Sequence, residues 1–390
     1  MSLLRSASLY AVANAVIALV GVVLTMALGR QLGPDGFGVW ASFFAIQNVW
    51  AALGFLRLEV RLASCTTIVQ ADRIVLSGFA VGTLVTGVLC LSSVALLGLE
   101  STLWLALIAG FGTSILDALI QRHAFGGHQL LMLTFRAIRV LLPITTALAA
   151  ALSGLSVDRV IACHGWMGIL FPLLLWRRWI LPARWLRLAM RTMLRYRREL
   201  IPSLVFATFN GLWINGLTPA LNHFSSPAIA GQFAMLQRLL GGAMGLVSTA
   251  ITLMLMKKDF VHVKWSVVQR VLYANIALCI GVCITAAIPI LGLQVQWLGA
   301  GWQVSSSLFF ASSVFLTACF AVGAISIVAI RLRDEWFMAI WQLLAVLCWV
   351  GIYLVTSPSS FIVPSLLFGA LMYAVLYFRW HYLATVGGAT

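Results

Sequence analysis

The sequence predicts an all-α, polytopic membrane protein of about twelve transmembrane helices, set as two six-helix lobes (parallel repeats) around a central cavity. Three observations predict it. The chain of 390 residues is 62% hydrophobic and only 9% charged, so nearly every element must be buried in something larger than its own core, and that something is lipid. Its basic residues gather in alternate loops. A short motif beside the first turn recurs about half a chain length later.

Apolar runs of about 18 residues or more are long enough to cross a hydrocarbon layer of roughly 30 Å. In chain order they lie near 8–29, 38–56, 75–97, 102–120, 130–152, 159–176, 201–221, 229–254, 270–291, 305–330, 336–355 and 360–378. Each must be a helix, because unpaired backbone and open strand edges are not tolerated against lipid. The first run lacks the short apolar core and small-residue cleavage site of a removable signal, and eleven more follow it, so it reads as a permanent helix. The connections expected on the outer side, near 30–37, 98–101, 153–158, 222–228, 292–304 and 356–359, leave no room for a folded catalytic domain.

The net charge of +15 raises the question of nucleic acid, and the placement of the charges answers it. One set of alternate loops holds Arg5, Arg57, Arg61, Arg73, Arg122, eight arginines from Arg177 to Arg198, Lys257, Lys258, Lys264, Arg270, Arg331, Arg333 and Arg379, twenty of the twenty-five cations. The other set holds Arg30 and Arg159, and Arg136, Arg139 and Arg238 lie inside spans. The asymmetry orients both termini to the cytoplasm, and no nucleic acid is implied. Seven cysteines fall mostly inside spans and read as small packing residues; Cys279 and Cys283 stand one turn apart without a second pair or a nearby His, so neither a metal nor any cofactor is expected.

The loop "RRWILPARWLRLAMRTMLRYRREL" places Arg184, Arg187, Arg191, Arg195 and Arg198 at 3-4-4-3 spacing, one stripe on a helix. That pattern suits a helix lying among the headgroups of the inner leaflet with arginines on anionic membrane lipids, and contact with an anionic substrate is the alternative. No G-x-x-x-x-G-K-[ST] occurs, nor a Ser/His/Asp set, a carboxylate pair or H-E-x-x-H. ATP binding and active-site chemistry are therefore poorly supported, and the chain is not expected to be an enzyme.

"PDGFGVWA" (Pro34 to Ala41) overlays "PAIAGQFA" (Pro227 to Ala234) at an offset of 193, both reading P-x-x-x-G-x-[aromatic]-A. Pro and Gly punctuate many helix starts, but these two copies open spans 2 and 8 and divide the chain six plus six. The expected organisation is a lobe over 1–176, a basic amphipathic cytoplasmic linker over 177–200 and a second lobe over 201–390. With an even number of spans each, the lobes are related by an axis along the membrane normal, an architecture for alternating access with a site at their interface.

Asn and Gln are costly in lipid and should face helices or water. They fall at Asn14, Gln47, Asn48, Asn210, Asn215, Gln232 and Gln237, in spans 1, 2, 7 and 8, with Asn275 and Gln342 as exceptions. Those four spans are the expected walls of a hydrated cavity. Arg238 lies about nine residues into span 8, roughly 14 Å deep, where an arginine costs about 3 kcal/mol and should meet a partner, water or an anion. Asp117 and Arg136, joined by the hairpin "HAFGGH", are the expected structural ion pair, leaving Arg139 as a further cavity cation. His164 reads as a packing histidine. Arg30 and Arg57 bracket span 2, which suits interfacial snorkelling and anion contact equally.

These residues carry a resemblance. "GRQLGPDGFGVWASFFAIQNVWAALGF" resembles the first loop and second helix of bacterial oligosaccharide flippases, the Wzx-type O-antigen and exopolysaccharide exporters, and "SSPAIAGQFAMLQRLLGGAMGLVSTAI" is similar to their seventh loop and eighth helix. The superfamily also includes multidrug exporters and the lipid II flippase. The resemblance implies a bacterial inner-membrane protein that moves lipid-linked oligosaccharide, a polyprenyl diphosphate carrying sugars, from the cytoplasmic to the outer leaflet. It also implies polysaccharide polymerase and assembly proteins as partners. In the related lipid II flippase cavity arginines near the ends of helices 1 and 2 and in helix 8 hold the diphosphate, which carries that role to Arg30, Arg57 and Arg238. The chain is short for this family, with trimmed outer loops. A multidrug antiporter of the same fold would instead need a cation-binding acid, and Asp117 sits in the wrong span for a central one. An O-antigen polymerase or ligase would need larger outer loops.

Overall fold

The structure is a computed structural model that describes residues 2–59, 62, 65, 67–98, 102–126, 128–176, 184–257, 265–288, 290, 298, 299, 301–325, 335–356 and 361–386. Among these residues every regular element is a helix: α1 (Ser2–Leu53), α2 (Ile68–Leu97), α3 (Leu103–Phe125), α4 (Gln129–Leu152), α5 (Val157–Trp176), α6 (Arg184–Asn215), α7 (Leu217–Phe224), α8 (Pro227–Lys257), α9 (Trp265–Ala287), α10 (Ser306–Ala324), α11 (Glu335–Val355) and α12 (Ile362–Val386). Eight of the described helices are long and apolar enough to cross a membrane, or nine if the bent pair α6 and α7 forms one span. The chain is a multi-pass membrane protein.

Each of the twelve expected spans falls on a helix, and two of them share one. α1 runs through the first turn, broken only at Gly33, whose φ of 67° and ψ of 175° separate limbs 2–32 and 34–53. Glycine adopts that backbone without a Cβ penalty, and Pro34, with φ already fixed, opens the second limb. Span 7 is the reverse case, bent by 49° where α6 gives way to α7. Side-chain caps fix other helix starts: Thr67 Oγ1 accepts from Gln70 N–H at 3.3 Å, Ser226 Oγ from Ile229 N–H at 3.2 Å and Ser305 Oγ from Leu308 N–H at 3.2 Å. Such caps satisfy donors that lipid cannot.

Contacts group the chain into two compact units, Met1–Leu32 with Val39–Pro219, and Gly33–Gly38 with Ala220–Thr390. In the first, α3 packs on α2, α4 and α5, and α6 lies along α2. The basic stretch expected as a separate linker over 177–200 thus continues, from Arg184 onward, without a break into span 7 as α6, and α6 groups with the first unit. Its Ala189 and Leu200 are buried, Thr192 and Ser77 share a 3.2 Å hydroxyl contact, and Met193 and Tyr196 rest on the core formed by Phe55, Leu58, Ile74, Phe79, Phe111 and Ile115. Arg187, Arg191, Arg195 and Arg198 point outward with Met190 and Leu194. In the second unit α10 is the central helix, packed on α8, α9 and α12, and α11 lies on α12.

The motif repeated 193 residues apart has a physical purpose within the second unit. A Cβ on Gly38 would strike the Pro227 carbonyl, and a Cβ on Gly231 would strike that of Pro34. The two helix starts therefore cross at backbone contact, each glycine seated on the other copy's proline peptide. Phe37, fully buried, anchors the crossing against Trp302 with ring centroids 5.7 Å apart. Gly231→Ala should therefore cost about 1–3 kcal/mol through overpacking, read as a lowered thermal unfolding midpoint in detergent. Gly87→Ala, where a Cβ meets open space, should leave the midpoint unchanged or raised.

Candidate functional site

One end of the first unit collects its charge. It is formed by the turn after α1, the start of α2, the end of α3, the start of α4 and the middle of α6. α1 closes with Gly54 N–H on the Trp50 carbonyl at 2.7 Å, after which Leu56 and Arg57 adopt φ of 48° and 63°. Left-handed backbone costs a non-glycine residue energy. It is held here because Phe55, Leu58 and Leu62 are sunk in the core on either side. The turn aims Arg57 Nη1 at Glu59 Oε1, 3.3 Å away, while Arg57 Nε donates to Ser203 Oγ of α6 at 3.3 Å.

Two more ion pairs stand at this end. Arg122 Nε meets Asp72 Oδ1 at 2.9 Å, and Arg139 Nη2 meets Asp117 Oδ2 at 3.0 Å. The expected pair of Asp117 with Arg136 is thereby corrected: the bonded partner is Arg139, one turn along α4, and Arg136 acts on the same carboxylate as the weaker electrostatic neighbour. The helical step of three residues puts both arginines on one face of α4, and Arg139 is the one whose guanidinium closes on the carboxylate. Arg139, expected as a free cavity cation, is engaged. Burial pushes the Glu59 carboxyl above its usual value of 4.5; the Arg57 guanidinium and the local backbone act against that, and the Asp117 carboxylate reinforces it.

Gln47 is also corrected. Expected on a cavity wall, it is 3% exposed and belongs to the core of the first unit, donating from Nε2 to Thr113 Oγ1 at 3.2 Å and lying 3.1 Å from His164 Nε2. His164 is fully buried among the rings of Trp40, Phe43 and Phe44 at centroid distances of 5.6–5.7 Å, the packing histidine expected. Asn275 is the counterpart in the second unit, fully buried and donating to the Phe320 carbonyl at 3.3 Å. The remaining polar positions are only part-buried: Asn14, whose Oδ1 has no hydrogen-bond partner among the described residues, Asn48, Asn210, Gln237, and Asn215, which donates to the Gly211 carbonyl at 3.3 Å.

Of the three arginines carried over by resemblance, Arg30 is exposed at the end of the first α1 limb and Arg57 follows the second. The intervening limb of 20 residues is about 30 Å long, so these two stand at opposite ends of one span. Arg238 lies within α8, part-exposed, eleven residues after Pro227 and hence ~17 Å along the helix. A groove that the sequence did not announce opens in the second unit between α9, α10 and α12. It measures about 560 Å³ and is walled by residues such as Ile276, Ile280, Phe309 and Phe310, with no charged side chain among its lining; it suits hydrocarbon, not phosphate. Among the described residues no group of three or more His, Cys, Asp or Glu is placed to hold a metal ion.

Since Arg136 also acts electrostatically on Asp117, it should take over part of the compensation when Arg139 is lost. Arg136→Met and Arg139→Met should each cost under about 1 kcal/mol, and the double substitution about 1 kcal/mol more than their sum, measured as unfolding free energies in a double-mutant cycle.

No family model matches the sequence, and no curated protein sequence matches it. Among solved structures the chain is similar to the eukaryotic MATE transporter AtDTX14, with a TM-score of 0.50, 14% identity and 98% of each chain covered. It is also similar to an inward-facing multidrug resistance MATE family transporter of the MOP superfamily, with a TM-score of 0.50, 12% identity, and 96% of this chain and 98% of the other covered. At that identity the likeness concerns architecture: the chain has the helical fold of MATE transporters.

Proposed function

We propose that this protein is a transporter that flips a polyprenyl-diphosphate-linked oligosaccharide from the cytoplasmic to the outer leaflet of the bacterial inner membrane. The observation that carries the reading is the chemistry of its intramembrane charges. Inside the expected spans the cations are all arginine, and the one acid, Asp117, is engaged by Arg139. Arginine forks onto phosphate oxygens through charge-assisted hydrogen bonds in a way lysine does not. Arg30 and Arg57 stand at opposite ends of one span, so in this account they meet the diphosphate at different stages of its passage, with Arg238 of α8 as a third ligand. The flippase resemblance of the two motif stretches supplies the sugar-bearing lipid. The outward-facing arginines of α6 would bind anionic lipids of the inner leaflet. Without a nucleotide-binding motif, the drive is an ion gradient or the potential, which favours outward movement of an anion by about 2.3 kcal/mol per charge per 100 mV.

The MATE-like architecture favours a second reading, a multidrug antiporter, and fits it equally. The two differ in what holds the cargo: an antiporter of cationic drugs depends on a cation-binding acid, a flippase of this kind on its arginines. In proteoliposomes, Arg238→Ala should slow flipping of a lipid-linked oligosaccharide at least tenfold, a loss of about 1.4 kcal/mol or more of transition-state stabilisation, while the protein still folds. Asp117→Asn should leave it within about twofold, because it removes no phosphate ligand. Export of cationic drugs that stops with Asp117→Asn and ignores Arg238→Ala would establish the second reading instead.

A further inference from the structure

The turn after α1 holds a carboxylate that the transport reading does not use. Glu59 is 9% exposed. One oxygen meets Arg57, and the other, Oε2, is buried with no hydrogen-bond partner among the described residues. The two partners are unequal in access: the Arg57 side chain is 27% exposed and that of Glu59 11%. A ligand can therefore reach the guanidinium without reaching the carboxylate. The strained turn fixes where the guanidinium is offered, since Leu56 and Arg57 are held in left-handed backbone by buried flanking residues. Ser203 Oγ, accepting from Nε, leaves the terminal nitrogens as the ones that change partner.

Among the described residues the charges facing Glu59 are few. Arg57, on its own segment, favours the ionised form; Asp117 on α3 disfavours it. Asp117 is itself held by Arg139 and within reach of Arg136 on α4. α6 contributes the neutral Ser203, and Asp72 of α2 is engaged by Arg122. Take Arg57 away and what remains is burial, the largest influence, and the Asp117 carboxylate, both favouring the neutral acid, with only the local backbone hydrogen bond still favouring the ionised form.

We infer that Glu59 is a proton-binding site coupled to anion capture: the Arg57 guanidinium exchanges the Glu59 carboxylate for a phosphate group of the incoming anion, and Glu59 takes up a proton as Arg57 leaves it. The inference rests on the reading of the cargo as a diphosphate. The step is balanced: one O–H bond forms on Glu59 from a solvent proton, at most one per anion, and Arg57 keeps its charge. Because the coupling is reciprocal, acid must favour anion capture by the same factor that the anion favours protonation.

The test uses the full chain in nanodiscs with geranylgeranyl diphosphate as probe, its affinity measured from pH 5.5 to 8. Between those limits wild-type affinity should rise toward acid about tenfold more than that of Glu59→Gln. Comparing the two proteins cancels the probe's own titration. Glu59→Asp, which keeps an acid there, should retain the slope. Infrared difference spectra should show a protonated carboxyl C=O band when the probe binds wild type, absent in Glu59→Gln. Equal slopes in wild type and Glu59→Gln, or binding without that band, overturn the inference. Failure of wild type to bind the probe, or binding untouched by Arg57→Ala, tells against the diphosphate reading. In that event a pH titration of Arg57→Ala without probe still decides the proton site: its carboxyl band should persist to higher pH than in wild type, and an unshifted band overturns the site.

Discussion

An unpartnered charge placed in hydrocarbon costs about 3 kcal/mol on insertion scales, and a backbone donor left unpaired there costs a comparable amount. In a chain that is 62% hydrophobic, those two costs sort nearly every polar residue. Asp117 is held by Arg139 of the neighbouring helix, with Arg136 as a weaker electrostatic neighbour. Gln47 and His164 pair inside the first unit, and Asn275 pairs with main-chain and hydroxyl partners in the second. Arg57 and Arg238 stay part-exposed, where a ligand can reach them.

The same pressure explains the crossing of the two helix starts. Pro34 and Pro227 begin helices without needing a donor partner, and Gly38 and Gly231 let the two starts meet at main-chain distance. A repeat legible as a weak eight-residue match is thus a reciprocal contact. Because of it, Gly33–Gly38 packs with the second unit while the residues on either side pack with the first. One continuous stretch, α1, belongs to both units.

Much of the fold was legible in the sequence because its signal is one-dimensional. Run length gave the spans, and each run falls on a helix. The extension of α6 from Arg184 through span 7 was not legible, because a charge run reads as a boundary while Ala189, Thr192 and Leu200 had already laid down a packing face along it. The site was less legible. Sequence proximity paired Asp117 with Arg136, since a one-turn difference in depth lies below what span ends can resolve, and Arg139 won on geometry. The pair of Arg57 and Glu59 is not legible in the sequence because residues two apart do not face each other in a helix; they meet only through the left-handed turn at Leu56 and Arg57. Its one sequence trace was an acid, Glu59, close behind an arginine in a strongly apolar stretch.

In the function proposed above, arginines replace the water around a diphosphate while the lipid-facing surface stays apolar, and the cargo is a lipid-linked sugar moved outward before any polymerisation. The most direct measurement follows cells deprived of this protein and asks, with a membrane-impermeant sugar-modifying reagent, which face of the inner membrane holds the stalled lipid-linked oligosaccharide. Accumulation on the cytoplasmic face, protected from the reagent until the membrane is opened, is the result this account predicts. Accumulation on the outer face, or none at all, would contradict it.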